Sequence, residues 1–217
     1  MNAVIPFSTA LRERSSSAHS TSECDGFMTE LLTGSGTRDD YVALVAQHWF
    51  IYSALEESAG ALRRDPVASV FLSDKLTRLP ALEADLAFLL GADWRDLVSP
   101  LPTTQAYVSR TRRVAATWPG GFVAHHYTRY LGDLSGGLFI GRLMQRRFGF
   151  DTNGIGFFLF GDIADPKAFK NVYREQLDAA PWDDDEKERV IAEVLVAYRF
   201  NTELFADLAR AKAAQVA

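Results

Sequence analysis

Apolar residues recur at helical spacing along nearly all of this 217-residue chain, and no segment alternates apolar with polar as a half-buried strand must. The period is plainest at Tyr41, Leu44, Val45, His48, Tyr52, Leu55, Ala59 and Leu62, which predicts one long helix. It returns at Leu79, Leu82, Leu86 and Leu89, and again at Val190, Val194, Tyr198, Asn201, Phe205 and Leu208. The punctuation agrees. Asp165-Pro166 reads as an N-cap with proline at the first helical position, Asp183 to Glu186 load negative charge onto another helix start, and Gly34 to Gly36, Gly91 and Gly149 follow periodic stretches as stop signals. The pattern predicts an all-α chain of about eight helices in one domain spanning residues 1–217, with residues 1–8 and 210–217 frayed. Residues 150–164, FDTNGIGFFLFGDIA, are apolar but broken by glycines and an Asn-Gly turn, and so predict an ordered loop packed on the core.

Composition narrows the partners. The chain is 47% hydrophobic and 12% aromatic, enough for a sizeable core, and its formal charge of −5 argues against nucleic acid as the main partner. One cysteine, Cys24, makes no intramolecular disulfide, and without a C-x-x-C pair there is no zinc ribbon or dithiol motif. The N-terminus lacks basic residues ahead of an apolar run, and nothing resembles a membrane span, so a cytoplasmic, reducing location is expected.

One stretch breaks the helical rules. Residues 119–148, PGGFVAHHYTRYLGDLSGGLFIGRLMQRRF, keep the helical period through Phe122, His126, Tyr130, Leu134, Leu143 and Met144, yet carry Gly132, Gly136, Gly137 and Gly141 inside it. Interior glycines cost a helix roughly 1 kcal/mol each against alanine, so the run needs compensation. Gly132 and Gly136 lie only about 40° apart around the axis, which bares the backbone along one stripe, while Gly136-Gly137 invites a kink. Two explanations are open: close packing against another element, or a flat ligand lying on the backbone. Arg129, Asp133 and Arg142 argue against a membrane G-x-x-x-G dimer, and the helical context and inserted Leu134 count against a protease-like reading of Ser135 in GDLSGG.

Among the four histidines, adjacent His125 and His126 point about 100° apart on a helix and are poorly placed to chelate one metal, and no H-E-x-x-H or E-x-x-H occurs. His48 sits on an apolar stripe and reads as a hydrogen-bonded core residue. Arg12, His19 and Glu23 share one face of the first helix, joining a cation, a soft base and a carboxylate. That face is either solvated or suited to an imidazole that binds iron while an acceptor orients its other N–H. Lys170 and Arg174, one turn apart around Tyr173, are either a surface stripe or clamps for a dianion.

Taken together these residues resemble the heme oxygenase family from about Leu11 to Leu208. HHYTRYLGDLSGG at 125–137 is similar to the family's distal-helix signature and AHSTSECDGFM at 18–28 to its proximal-histidine region. FIYSALE at 50–56, FKNVYREQL at 169–177 and FNTELFADL at 200–208 add to the likeness. The resemblance implies a single helical domain holding heme between a proximal helix and a kinked, glycine-rich distal helix. It implies cleavage of heme to biliverdin, carbon monoxide and ferrous iron, using dioxygen and electrons from a ferredoxin or flavodoxin-like donor with its reductase, for heme catabolism and iron release. It makes His19 the proximal ligand, Glu23 its partner, and Met28 and Phe205 pocket walls. Gly132, Asp133, Ser135, Gly136 and Gly137 fall on the distal side. Arg12, Tyr127, Lys170 and Arg174 match propionate contacts, and Tyr52, Arg129 and Asn201 match a polar network that reaches Asp133 through ordered water. The chain departs from several relatives in having an arginine at position 12 and Ser20, Thr21, Ser22 and Cys24 after the histidine. A heme carrier or sensor, which would leave heme intact, and a bundle enzyme acting on a non-heme molecule are the other readings of the same pattern. The presence of Asp133 with its partners disfavours the carrier.

Overall fold

The computed structural model describes residues 5–23 and 26–216, with side chains at all of these except 23, 215 and 216. Its described residues form α1 (Phe7–Glu23), α2 (Gly26–Thr33), α3 (Arg38–Ala61), α4 (Leu79–Leu90), α5 (Trp94–Leu97), α6 (Pro102–Thr117), α7 (Pro119–Gly132), α8 (Leu138–Phe148), α9 (Pro166–Ala179) and α10 (Asp184–Val216), with short 3₁₀ turns between some of them and no strand. These ten α-helices exceed the expected eight because α2 and α5 are too short for the apolar period to reveal.

Helix α7 is the centre of the molecule. Every residue from Gly120 to Leu131 is buried, so its two-sided pattern reflects packing on α6 on one flank and α10 on the other. Gly121 lets the Trp118 ring lie on the helix start, since a Cβ there would stand 2.3 Å from Trp118 Cε3. The buried carboxylate of Glu193 on α10 ties the three helices together. It accepts from Arg110 Nε at 2.7 Å and from His125 Nε2 at 2.8 Å. Burial alone would raise its pKa, but Arg110 and His125 outweigh that and hold it at about 2. Burial keeps His125 itself neutral, so its Nε2–H is a donor to Glu193.

Local signals set the other ends. Thr37 and Asp40 form a reciprocal capping box at the start of α3. Asp165 caps α9 through Ala168 N at 2.9 Å, with Pro166 at the first position as expected. Gly149 closes α8 in the left-handed region at φ +70°. Helices run close to both ends of the described residues. Helix α1 is already formed at Phe7, whose ring packs on Trp182, and Ser8 N and Oγ both donate to Asp178. Helix α10 continues through Val216, held by Lys212 pairing with Glu30 and Asp40.

The loop at 150–164 packs on the core through Phe150, Ile155, Phe157, Phe158, Phe160 and Ile163, as expected, and the physical reason is Asp85 on α4. Its carboxylate accepts from the backbone N–H groups of Gly154, Gly156 and Phe157 at 2.8–2.9 Å. Tyr41 OH donates to Gly154 O at 2.6 Å. This anchoring drives Phe157 and Phe158 into the core, where Phe158 forms the surface on which α8 rests.

Candidate active site

The glycine-rich run changes its helical winding at the expected place, around Gly136-Gly137. It passes from α7 to α8 through one π-helical turn, Asp133–Gly137, which widens the backbone without stopping it. The glycines in and around this turn divide into two kinds. A Cβ on Gly137 or Gly141 would stand 3.2 or 3.0 Å from Phe158, so those two permit close packing of α8 on the loop. A Cβ on Gly132 or Gly136 would meet nothing within 4 Å. Close packing therefore accounts for Gly137 and Gly141, while Gly132 and Gly136, on the other side of the same element, bare their backbone to open space as a flat ligand would require.

That space is a cleft between α1 and the π-turn. One lobe, of about 770 Å³ with open solvent included, is walled by Met28, Leu44, His48, Ile140, Phe158 and Phe205 and reached by Asp133, Gly136 and Gly137. A second lobe of about 760 Å³ carries Arg12, Tyr127, Ser135 and Arg174. The two share His19, Gly132 and Tyr198, so the imidazole of α1 stands across from the bare glycine backbone with an apolar lobe on one side and a basic lobe on the other. Tyr198 on α10 packs edge-on against the His19 ring at 5.6 Å. Such a slot fits a flat, largely apolar molecule with an anionic edge.

The polar residues on the π-turn side converge on Asp133. Tyr52, fully buried on α3, donates its hydroxyl to Asp133 Oδ2. Burial raises the Asp133 carboxyl above the usual aspartate range, and the positive charge of Arg129 and the Tyr52 hydroxyl pull it back. The ion pair between Asp133 and Arg129, which one helical turn of spacing also allows, is not among the salt bridges of the described residues. Arg129 instead lies over the Tyr52 ring at 5.1 Å and donates from Nη1 to Asn201 Oδ1 at 2.9 Å. Tyr52, Arg129, Asn201 and Asp133 thus form one cluster, with the tyrosine touching the carboxylate directly.

The basic lobe is less settled than the expected clamp. Arg12 and Arg174 line it, with Arg174 Nη1 on Asn171 Oδ1 at 3.1 Å. Lys170 Nζ reaches Ser135 Oγ at 3.0 Å rather than open solvent, and burial lowers its pKa. Glu23 belongs to α1, but its side chain lies outside the described residues, as does Cys24. His126 is structural, its Nδ1 2.9 Å from Tyr173 OH. His48 differs from its expected role: it is buried, but its Nδ1 has no hydrogen-bond partner and its ring lines the apolar lobe. Helical spacing could not have found it, because the cleft it faces forms only when α3, α8 and the 150–164 loop meet.

The model of the family described as heme oxygenase matches residues 5–207. The chain is 39% identical to heme oxygenase 1 of Synechocystis sp., covering 94% of this chain and 85% of that one. It is 38% identical to human heme oxygenase 1, covering 93% of this chain and 71% of the other. Its fold superposes on a crystal structure of heme oxygenase-1 from Synechocystis sp. in complex with heme, with a TM-score of 0.90, 38% identity and 98% of both chains covered. Heme oxygenase from Leptospira interrogans gives a TM-score of 0.88 at 32% identity over 93% of this chain and 98% of that one.

Proposed function

The chain belongs to the heme oxygenase family, and from that premise we propose that it cleaves heme to biliverdin, carbon monoxide and ferrous iron. The observation that carries this reading is the slot itself: one imidazole facing an open glycine backbone, between an apolar lobe and a basic lobe. Heme supplies the iron at which dioxygen is activated, and so serves as its own cofactor as well as the substrate.

The residues divide the work. His19 holds the iron, and Glu23 is proposed to orient it. Met28 and Phe205 cover the apolar faces of the macrocycle. Arg12, Tyr127, Lys170 and Arg174 take the propionates and so fix the in-plane rotation, which decides which meso carbon lies deepest; Lys170 must leave Ser135 to do so. Gly132 and Gly136 admit only backbone next to the iron, so no side chain there can act as the acid that splits an oxygen–oxygen bond. Ser135 and Gly137 complete that wall. Asp133, held by Tyr52 at Oδ2, keeps Oδ1 for a water in the cleft, and Arg129 and Asn201 brace that arrangement. Electrons are proposed to come from an acidic ferredoxin or flavodoxin-like protein with its reductase, docking at the basic lobe. Among the described residues no helix is long and apolar enough to cross a membrane, and action in the cytoplasm is part of the proposal.

The test is to mix the protein with heme and a reductant in air. Loss of the heme Soret band with biliverdin as product supports the enzyme. A stable heme spectrum under the same conditions would favour a carrier, and no stoichiometric heme binding would favour a non-heme ligand.

A further inference from the structure

His48 is 8% exposed, and its Nδ1 is buried with no hydrogen-bond partner. Its neighbours explain why it is packed but not why it is polar. The ring lies 5.0 Å from that of Phe157 and shares the cleft wall with the apolar Leu44, Met28, Ile140 and Phe158; Thr128, Arg129, Asp133 and Asn201 line the same lobe, but none of them is a hydrogen-bond partner of its Nδ1. Burial, with Arg129 nearby, keeps the imidazole neutral, so it offers one N–H donor and one acceptor. An unpaired polar group among such residues is a cost that leucine would avoid.

The position of that cost in the cleft is informative. Arg12 and Arg174 belong to the basic lobe, and His48 to the apolar lobe on the other side of the shared His19 and Gly132. A heme held by its propionates at the basic lobe therefore turns its propionate-free edge toward His48. That edge is pure hydrocarbon in the substrate. Cleavage of the bridge there leaves an oxygen on each of the two pyrrole rings, so the product, unlike the substrate, brings polar atoms of its own to this edge.

We infer that His48 is a product-recognising residue, whose ring N–H donates a hydrogen bond to an oxygen installed on the buried edge of the macrocycle. The inference rests on the heme-cleaving reading above. It makes the inner lobe indifferent to the substrate and selective for the oxygenated tetrapyrrole, so that the cleft holds a partly oxidised molecule in place through later turns of chemistry and releases the finished product more slowly than an apolar wall would.

Binding measurements test this without turnover. Zinc protoporphyrin stands in for the unoxidised macrocycle and biliverdin for the product. For His48→Leu, the dissociation constant of biliverdin should rise about fivefold, the worth of one hydrogen bond, while that of zinc protoporphyrin stays within twofold. His48→Asn, which keeps a donor, should recover part of the loss. In the wild-type protein, the ¹⁵N resonances of the His48 ring should move on adding biliverdin and stay in place on adding zinc protoporphyrin, a readout that needs no variant to fold. Equal weakening of both ligands in His48→Leu would mean that the residue only packs, and unchanged biliverdin binding would equally overturn the inference. If the wild type binds no zinc protoporphyrin, the heme reading itself fails and this inference falls with it.

Discussion

Helix α1 and the α7–π–α8 run face one another across the cleft and are built on opposite principles. Helix α1 contributes side chains: Arg12, Ser15, Ser16, His19 and Ser20 line the cleft, and much of the helix is exposed. The opposite wall contributes their absence, because Gly132 and Gly136 present backbone to the same space while the rest of α7 is buried on every side. One wall is chemically rich and is seated by the few buried apolar residues of α1, Phe7 and Leu11, with the Arg14–Glu188 pair exposed on its outer side. The other is bare and held from behind by the buried Glu193, His125 and Arg110. The difference teaches that a bare wall needs the stronger scaffold. Four glycines in one helical run are tolerated because α6, α10 and the Asp85-anchored loop fix their geometry from outside.

The largest break of this contrast is on the side-chain wall. His19→Ala should lower heme turnover on the order of 10³-fold, about 4 kcal/mol of barrier, and added imidazole should restore part of it. A variant with wild-type spectrum and rate would remove His19 from the site. Next comes the scaffold behind the bare wall. Glu193→Ala leaves Arg110 unpaired against the core and should cost about 3 kcal/mol of stability by denaturant unfolding, while Arg14→Ala on the exposed side should change the midpoint little.

The same carboxylate sets an acid limit. Its folded pKa of about 2 lies below the ordinary value of 4.5, so its stabilisation is complete above pH 4.5 and is lost as the pH falls toward 2. Thermal melts should show that loss in the wild type, and a smaller acid dependence in Glu193→Gln.

Electron delivery gives a smaller effect, confined to the basic lobe. With a ferredoxin-type donor, raising salt from about 0.05 to about 0.5 M should slow turnover severalfold at constant heme occupancy. A salt-independent rate would place donor docking elsewhere. The smallest effects separate the two kinds of glycine. Gly132→Ala, with open space at its Cβ, should stabilise the heme-free protein by about 0.5–1 kcal/mol, whereas Gly141→Ala must push Phe158 and should destabilise it.

Much of this was legible in the sequence where the information is local. The Asp165-Pro166 start, the Gly149 stop and the glycine-broken, non-helical character of 150–164 follow from short-range chemistry, whereas the seating of that loop depends on the distant Asp85. What was not legible depends on partners far away in the chain. The packing role of Gly137 and Gly141 requires Phe158, placed by Asp85. Arg129 turns to Asn201, 72 residues on, instead of pairing with Asp133 four residues away. The end of α10 persists because Lys212 finds Glu30 and Asp40. His48 becomes a cleft residue only after three elements meet around it.

The central claim is that the bare wall works through backbone and one held carboxylate. The most direct measurement is the biliverdin yield of Asp133→Ala, loaded with heme and driven by hydrogen peroxide so that no reductase intervenes. The account predicts that this variant folds, binds heme with the wild-type proximal spectrum, and makes much less biliverdin. Wild-type rate and yield would contradict it and leave Asp133 only its contact with Tyr52.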